Sequence, residues 1–343
     1  MNRTPIPPQM KALMLTGFGK KLHRNLSFQQ LDTPTPEPNQ ILVEIHAASL
    51  NPIDYKIVEG LLRLVRSFDL PEQLGFDVAG IVIAKGTEVD QFEIGDEIYA
   101  RVSGESRGTF AEYIAVDAEL AAPMPLGLSF EEAASIPLVG LTTVQSFRWA
   151  GLKANDRVLI HAGSGGIGTF AIQYAKALGA TVYTTTSTPN VGWVKALGAD
   201  QVIDYKQEDY RTMLQDLDIV YDTLGSGYTK DAFSVIRSGG SVVTIVGDPD
   251  AEAVEEMGLN AVLKFALGLK RRPIDRAQRA KAALYRFIAM NPNAEDLMEI
   301  TRWIEAGNIR PVIDRTFALD DAVEALTYLQ TGRAKGKVVL KVR

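Results

Sequence analysis

The sequence predicts an α/β protein in which a doubly wound parallel sheet is joined to a second, β-rich domain. Three observations carry this expectation. At 343 residues the chain exceeds what one ordinary core holds, so roughly two domains are expected. After Pro125, short apolar runs alternate with helical patterns, as a parallel sheet covered on both faces requires. One strand-to-helix junction is the glycine-rich run His161-Ala-Gly163-Ser164-Gly165-Gly166-Ile167-Gly168.

The first third reads as strands. Ile41–His46 and Val78–Ile83 are apolar or alternating runs bounded by Pro, Gly and Asn, and Gly95-Asp-Glu97 turns into Ile98–Ala100. Pro123-Met-Pro125 marks a domain boundary. Ser129-Phe-Glu-Glu132 is a capping box that opens a helix. Arg157–Ile160 is a short buried strand, and Thr169–Leu178 a helix stopped by Gly179. Strands at 181–185, 201–203, 219–222 and 241–246 follow, with a helix from Val191 to Leu197 between the first two. Met257–Leu269 is an apolar, helical insertion that either roofs a pocket or packs in a core or dimer. Glu295–Ala306 and Asp320–Leu329 are amphipathic helices, and Lys337–Val342 is a strand expected to rejoin the first domain.

Composition removes several classes of function. Hydrophobic residues at 46% and charged residues at 23% describe a globular chain rather than a disordered one. A net charge of −6 argues against nucleic acid as the main partner. The bases at Lys270-Arg271-Arg272 and at Arg276, Arg279 and Lys281 read as a solvated helix face. No apolar run approaches the roughly 20 residues that span a bilayer, and the first eight residues lack an apolar signal core, so a cytoplasmic setting is expected. Cysteine is absent, which excludes disulfides, thiolate nucleophiles and cysteine-ligated zinc together.

The glycine run is the strongest local signal. Alone, G-x-G-x-x-G also describes a tight turn without a ligand. Here a strand ends at Ile160 and a helix opens at Gly168-Thr169, which aims backbone N–H groups and a helix N-terminus at a pyrophosphate. An NAD site places an acid about 20 residues further on to hold the ribose 2′-OH. Thr184-Thr185-Thr186-Ser187-Thr188 stands there instead, with no acid before Asp200, which favours NADPH over NADH. Strand propensity also explains a threonine run.

The landmarks Asn51-Pro-Ile-Asp54, Gly75-Phe-Asp-Val-Ala-Gly80, Gly108-Thr-Phe-Ala-Glu-Tyr113, Leu138-Val-Gly-Leu-Thr-Thr143, Leu197-Gly-Ala-Asp200 and Gly336-Lys-Val-Val-Leu340 lie in order around that loop. With them the chain resembles the zinc-free branch of the medium-chain dehydrogenase/reductase superfamily, near quinone oxidoreductases and NADPH-dependent alkenal or enone reductases. The resemblance implies a chaperonin-10 (GroES)-like β-barrel domain over 1–125 and 291–343, and a Rossmann domain over 126–290. It implies cofactor contacts at Gly163, Ser164, Gly165, Gly166, Ile167 and Gly168, and at Thr186 and Ser187 for the 2′-phosphate. Tyr205 is implied as a further contact, with Thr142, Leu224, Gly225, Val246 and Gly247 around the nicotinamide. Lys56, Arg333 and Lys337 match family positions that reach the cofactor. Pro189 departs from the pattern, since many relatives carry a lysine near there.

Without a metal, such a site suits hydride transfer to a small hydrophobic electrophile, an enone, enal or quinone, whose carbonyl spreads the arriving charge. Asn51 and Tyr55 are candidate donors to the developing enolate, Tyr55 being as readily a packing residue. Asp54 is read as ordering the loop. No metal site is expected, and His23, His46 and His161 have no ligand spacing. A homodimer is expected from the resemblance. The competing reading is an NADPH-binding sensor or stabilising partner with little turnover.

Overall fold

Side chains along Gln40–Leu50 are mostly buried, and this run of 11 residues becomes the spine of an antiparallel sheet. The computed structural model describes residues 5–64, 66–104, 106–258 and 261–343. In chain order the first elements are β1 (Gln9–Leu15), β2 (Leu26–Asp32), β3 (Gln40–Leu50), α1 (Pro52–Val58), β4 (Glu72–Gln73), β5 (Asp77–Lys85), β6 (Glu97–Arg101), β7 (Tyr113–Asp117), β8 (Ala121–Pro123) and α2 (Phe130–Ala134). Strand β3 pairs antiparallel with both β5 and β7. The capping box forms at the start of α2: Ser129 Oγ accepts from the Glu132 N–H, and the Glu132 carboxylate accepts from the Ser129 N–H.

The next elements are α3 (Pro137–Ala150), β9 (Arg157–Ile160), α4 (Gly166–Ala177), β10 (Thr181–Thr186), α5 (Val191–Lys195), β11 (Gln201–Asp204), α6 (Tyr210–Met213), β12 (Leu217–Asp222), α7 (Gly227–Val235), β13 (Ile236–Thr244), α8 (Ala251–Glu256), α9 (Ala261–Lys281) and β14 (Leu284–Phe287). Their strands make one parallel sheet in the order β11-β10-β9-β12-β13-β14. The chain starts in the middle at β9, winds out to one side, then crosses to the other. That reversal opens a crevice at the carboxyl ends of β9 and its neighbours, where such sheets bind ligands.

Three boundaries differ from expectation. Helix α4 opens at Gly166, not Gly168, because Gly165 already serves as its N-cap in an extended conformation. Strand β13 begins at Ile236 and ends at Thr244; its Ser-Gly-Gly reads as a breaker, yet Gly240 is needed where a Cβ would lie 2.9 Å from the Asp218 carbonyl. The insertion expected over 257–269 is divided between a turn at Met257-Gly258, just after α8, and the start of α9, with residues 259–260 outside the described ones. It is not core: Val262, Phe265 and Leu269 face solvent.

The tail supplies α10 (Ala294–Glu305), β15 (Ile313–Ala318), α11 (Ala322–Gln330) and β16 (Lys337–Lys341). Strand β16 pairs antiparallel with β3, which returns the tail to the N-terminal sheet as expected. That sheet runs β15-β16-β3-β5-β6-β8, with β7 also on β3. The chain divides into two compact units, Met1–Leu138 with Pro292–Ala306 and Pro311–Arg343, and Val139–Asn291 with Gly307–Arg310.

Candidate cofactor site and the buried cluster beneath helix α1

The glycine loop is pinned from below. Thr184 Oγ1 donates to the Ile160 carbonyl at 2.7 Å, and the Gly163 N–H donates to the Thr185 carbonyl at 2.9 Å. His161 shares a hydrogen bond with Thr185 Oγ1 at 3.2 Å, and burial pushes its pKa down to about 4, so the imidazole is neutral. The loop glycines do different work. A Cβ on Gly163 would lie 2.2 Å from Thr184 Oγ1, and one on Gly168 would lie 2.3 Å from the Ala162 carbonyl. Both are therefore required by packing alone. A Cβ on Gly165 would meet only the Ala162 carbonyl, at an ordinary 3.4 Å. The space beside Gly165 is open, and Ser164 to Ile167 stay partly exposed at the N-terminus of α4.

At the end of β10 the Thr186 hydroxyl is buried and has no partner among the described residues. Ser187 Oγ accepts from Asn190 Nδ2 at 3.1 Å. Asp204 stands opposite Thr186 on the neighbouring strand β11. The Thr188 hydroxyl beside it lowers its pKa, with the Lys206 N–H and the Gln207 amide adding to the effect. Tyr205, just beyond, is exposed.

Across the crevice, Asp222 ends β12 fully buried. Its Oδ1 accepts from the Leu224 and Gly225 N–H groups at 2.9 and 2.8 Å, and its Oδ2 from Thr229 and Thr244 hydroxyls. Thr244 in turn accepts from the Gly247 N–H at 2.8 Å. One carboxylate thus fixes both loops, leaving Leu224 and Val246 exposed at the strand ends. Thr142, on α3 in the same unit, is buried.

The remaining candidates lie in the other unit. Asn51 precedes α1 and is 1% exposed; its Nδ2 donates to Asp77 Oδ2 at 2.9 Å while its Oδ1 accepts from Lys337 Nζ at 2.5 Å. Lys337, expected on the cofactor, is enclosed at 5% exposure and also donates to the Leu50 carbonyl and Asp77. Asp77 further accepts from Ser49 Oγ and the Leu138 N–H. Asp54 Oδ2 accepts from the Asn51 N–H at 2.6 Å, which orders the start of α1 as expected, but its Oδ1 has no partner among the described residues. Burial pushes the Asp54 carboxyl up to about 7, and Asp77 adds to that; the Asn51 N–H, Lys337 and Arg101 oppose it. Tyr55 is half-buried against the apolar core, with no hydrogen bond to its hydroxyl among the described residues. Lys56 is likewise unpaired, and Arg333 is exposed.

Residues 37–126 match the family described as alcohol dehydrogenase GroES-like domain, and residues 197–340 the one described as zinc-binding dehydrogenase. The 2-methylene-furan-3-one reductase of Solanum lycopersicum is 35% identical, covering 98% of this chain and 80% of its own. The chain is a medium-chain dehydrogenase/reductase. The chloroplastic NADPH-dependent alkenal/one oxidoreductase of Arabidopsis thaliana is 32% identical to this medium-chain reductase, over 98% of it and 80% of the plant protein. The quinone oxidoreductase of Coxiella burnetii superposes on it with a TM-score of 0.84 at 33% identity, over 98% of this reductase and all of that chain. The expected Rossmann-type sheet and GroES-like domain are thus both present. The chain has no cysteine, so no thiolate ligand for zinc is present in it. Among the described residues, no group of three His, Cys, Asp or Glu side chains is gathered for a metal.

Sequence reasoning missed Asp77, Asp222, Thr244 and Asp204 in this reductase. The first three hold other candidate residues in place; the signal for Asp222 was an acid closing an apolar strand. Asp204 escaped a search along the chain because it arrives from the adjacent strand.

Proposed function

We propose that this chain is an NADPH-dependent reductase that passes hydride to an α,β-unsaturated carbonyl or a quinone, without a metal. The open space beside Gly165, at the N-terminus of α4 and at the reversal point of the sheet, carries the reading. The orphaned Thr186 hydroxyl supports it, as a buried donor that fits a 2′-phosphate oxygen. Bound there, NADPH supplies the hydride.

The chain's own residues do the rest. Ser164, Gly166, Ile167 and the first N–H groups of α4 hold the pyrophosphate, with Gly163 and Gly168 keeping strand and helix close enough for it. Thr186 and Ser187 receive the 2′-phosphate, Tyr205 packs on the adenosine, and Leu224, Gly225, Val246, Gly247 and Thr142 line the nicotinamide. Lys56 and Arg333 offer cations to the phosphates. Tyr55, with a free hydroxyl, donates to the oxygen on which enolate charge develops. Asn51 and Lys337 hold α1, and hence Tyr55, against β5. We place the enzyme in the cytoplasm as a homodimer, formed through the outer edge of β14, which ends the sheet with one side unpaired.

The test is NADPH oxidation across enals, enones, quinones and enoyl thioesters, against NADH. Turnover on none of them, with NADPH still bound, makes the chain a sensor rather than a reductase. Tyr55→Phe is expected to lower kcat on enones by about 10²–10³ and on quinones by less, because a quinone spreads charge over two oxygens. An unchanged rate on both makes Tyr55 a packing residue.

A further inference from the structure

Helix α9 (Ala261–Lys281) presents one unbroken stripe to solvent. Helical spacing sets Val262, Phe265, Ala266 and Leu269 along its first half, and Arg272, Arg276 and Ala280 along its second, with Arg279 beside them. Val262 is 77% and Phe265 68% exposed. The opposite side anchors the helix: Ile274 is buried, Arg271 donates to the Pro249 carbonyl, and Lys281 donates to the Ile236 carbonyl. Arg272 and Arg276 have no ion pair among the described residues. Residues 261–281 hold seven Lys and Arg against one Asp, in a chain whose net charge is −6. A groove of about 550 Å³ opens alongside, lined by Arg271, Asp275, Gln278, Arg279, Ala282 and Ala283.

We propose that this stripe docks the protein on an anionic lipid bilayer. Val262, Phe265 and Leu269 enter the boundary of the acyl chains, while Arg272, Arg276 and Arg279 meet lipid phosphates. The stripe's two halves match the two layers of such a surface, hydrocarbon and phosphate, and an exposed aromatic beside unpaired arginines is the pattern of a helix lying in the interface. About 25 Å of helix lies between Val262 and Arg279, with Pro273 at the junction of the apolar and basic halves, long enough for both halves to reach one surface. No described helix is long and apolar enough to cross the membrane, so the contact is peripheral. A second copy fits the stripe badly. Symmetric pairing presses the arginines of one copy onto those of the other, or onto its Phe265 and Leu269, and leaves cations without anions. The inference goes beyond the proposed chemistry and stands without it.

The experiment is co-sedimentation of the full chain with vesicles of phosphatidylcholine, with or without phosphatidylglycerol. Binding is expected only to the phosphatidylglycerol vesicles, weakening as salt is raised. Phe265→Ser is expected to weaken it roughly tenfold, and each of Arg272→Gln and Arg276→Gln about fivefold. NADPH affinity, measured on the same variants by calorimetry, should be unchanged and shows that they are folded. The proposal is overturned if the unaltered chain stays in the supernatant with phosphatidylglycerol vesicles at low salt. Equal binding by the arginine variants overturns it too. So does light scattering that finds a dimer in the unaltered chain and a monomer in Phe265→Ser, because a second copy then covers the stripe.

Discussion

Polar groups are gathered in two places in this molecule, and they are treated in opposite ways. Beneath α1, Asp77 collects Asn51, Ser49, Lys337 and the Leu138 N–H, so that side chains answer one another and, among the described residues there, little more than one oxygen of Asp54 and the Arg101 Nε is left over. Around the glycine loop, the backbone beside Gly165 faces open space and the Thr186 hydroxyl waits without a partner. A closed cluster holds shape, because breaking one of its contacts strands a buried charge. An open one holds affinity, because its unpaired groups gain only when a ligand arrives. The closed cluster therefore answers mainly to measurements of stability, and the open one to measurements of binding.

The sharpest break of that contrast is Lys337→Met, which leaves the Asp77 carboxylate buried without its hydrogen-bonded cation. We expect a loss of about 3–5 kcal/mol in denaturant unfolding, with NADPH affinity of the folded fraction little changed. A variant of native stability, or one that stays folded but loses NADPH, would place Lys337 in the open cluster.

Asp54 offers the next test, through pH. Its carboxyl is raised to about 7 when folded and returns to the ordinary carboxylate range when unfolded. The folded state therefore binds the proton more tightly, and that contribution is whole below about pH 4 and lost as pH rises through about 7. Asp54→Asn should flatten this slope, gaining on the unaltered protein by up to about 4 kcal/mol between pH 4 and pH 8. Parallel stability curves for the two proteins would show that Asp54 does not titrate in this window.

In the open cluster, Gly165→Val should weaken NADPH about a hundredfold while moving the melting temperature by only about 2 °C, since its Cβ meets no crowding. Gly168→Val should do the reverse and damage the fold, its Cβ falling on the Ala162 carbonyl. Equal effects from the two would erase the division of labour within the loop. The smallest effect is expected from Ser187→Asp, which should shift the NADPH to NADH ratio of kcat/KM by about tenfold toward NADH through charge repulsion. An unmoved ratio would point to Thr186, or to Asp204 from the next strand, as the residue that reads the ribose.

The open cluster was legible in the sequence and the closed one was not, for a reason of distance along the chain. Arg157 to Gly168 is contiguous, so the strand, the glycines and the helix are read in one window, and only the start of α4 moved, by two residues. The hydroxyl run from Thr184 to Thr188 follows from counting along the chain beyond the loop, and the choice of Thr186 and Ser187 within it comes from the family resemblance. Asp77 and Lys337 are 260 residues apart in sequence, and nothing local in Gly-Lys-Val-Val-Leu says that its lysine turns inward. Asn51 was read as a donor to substrate from its place in a motif; the structure occupies both ends of its amide. Likewise the apolar opening of α9 reads as a pocket roof or as core or dimer packing, because a sequence pattern shows that a face is apolar but not what lies against it.

Strand β16 joins the N-terminal sheet beside β3, and its first residue is Lys337. During synthesis this inverts the usual sequence of events, in which the first domain made is the first to fold. Asn51 and Asp77 leave the ribosome early and lack the Lys337 cation until residue 337 has been made. The parallel sheet from β9 to β14 has all its strands well before then. The second unit is therefore free to fold while the first is still waiting for β16, and a ribosome stalled short of residue 337 carries a finished parallel sheet attached to an unfinished neighbour.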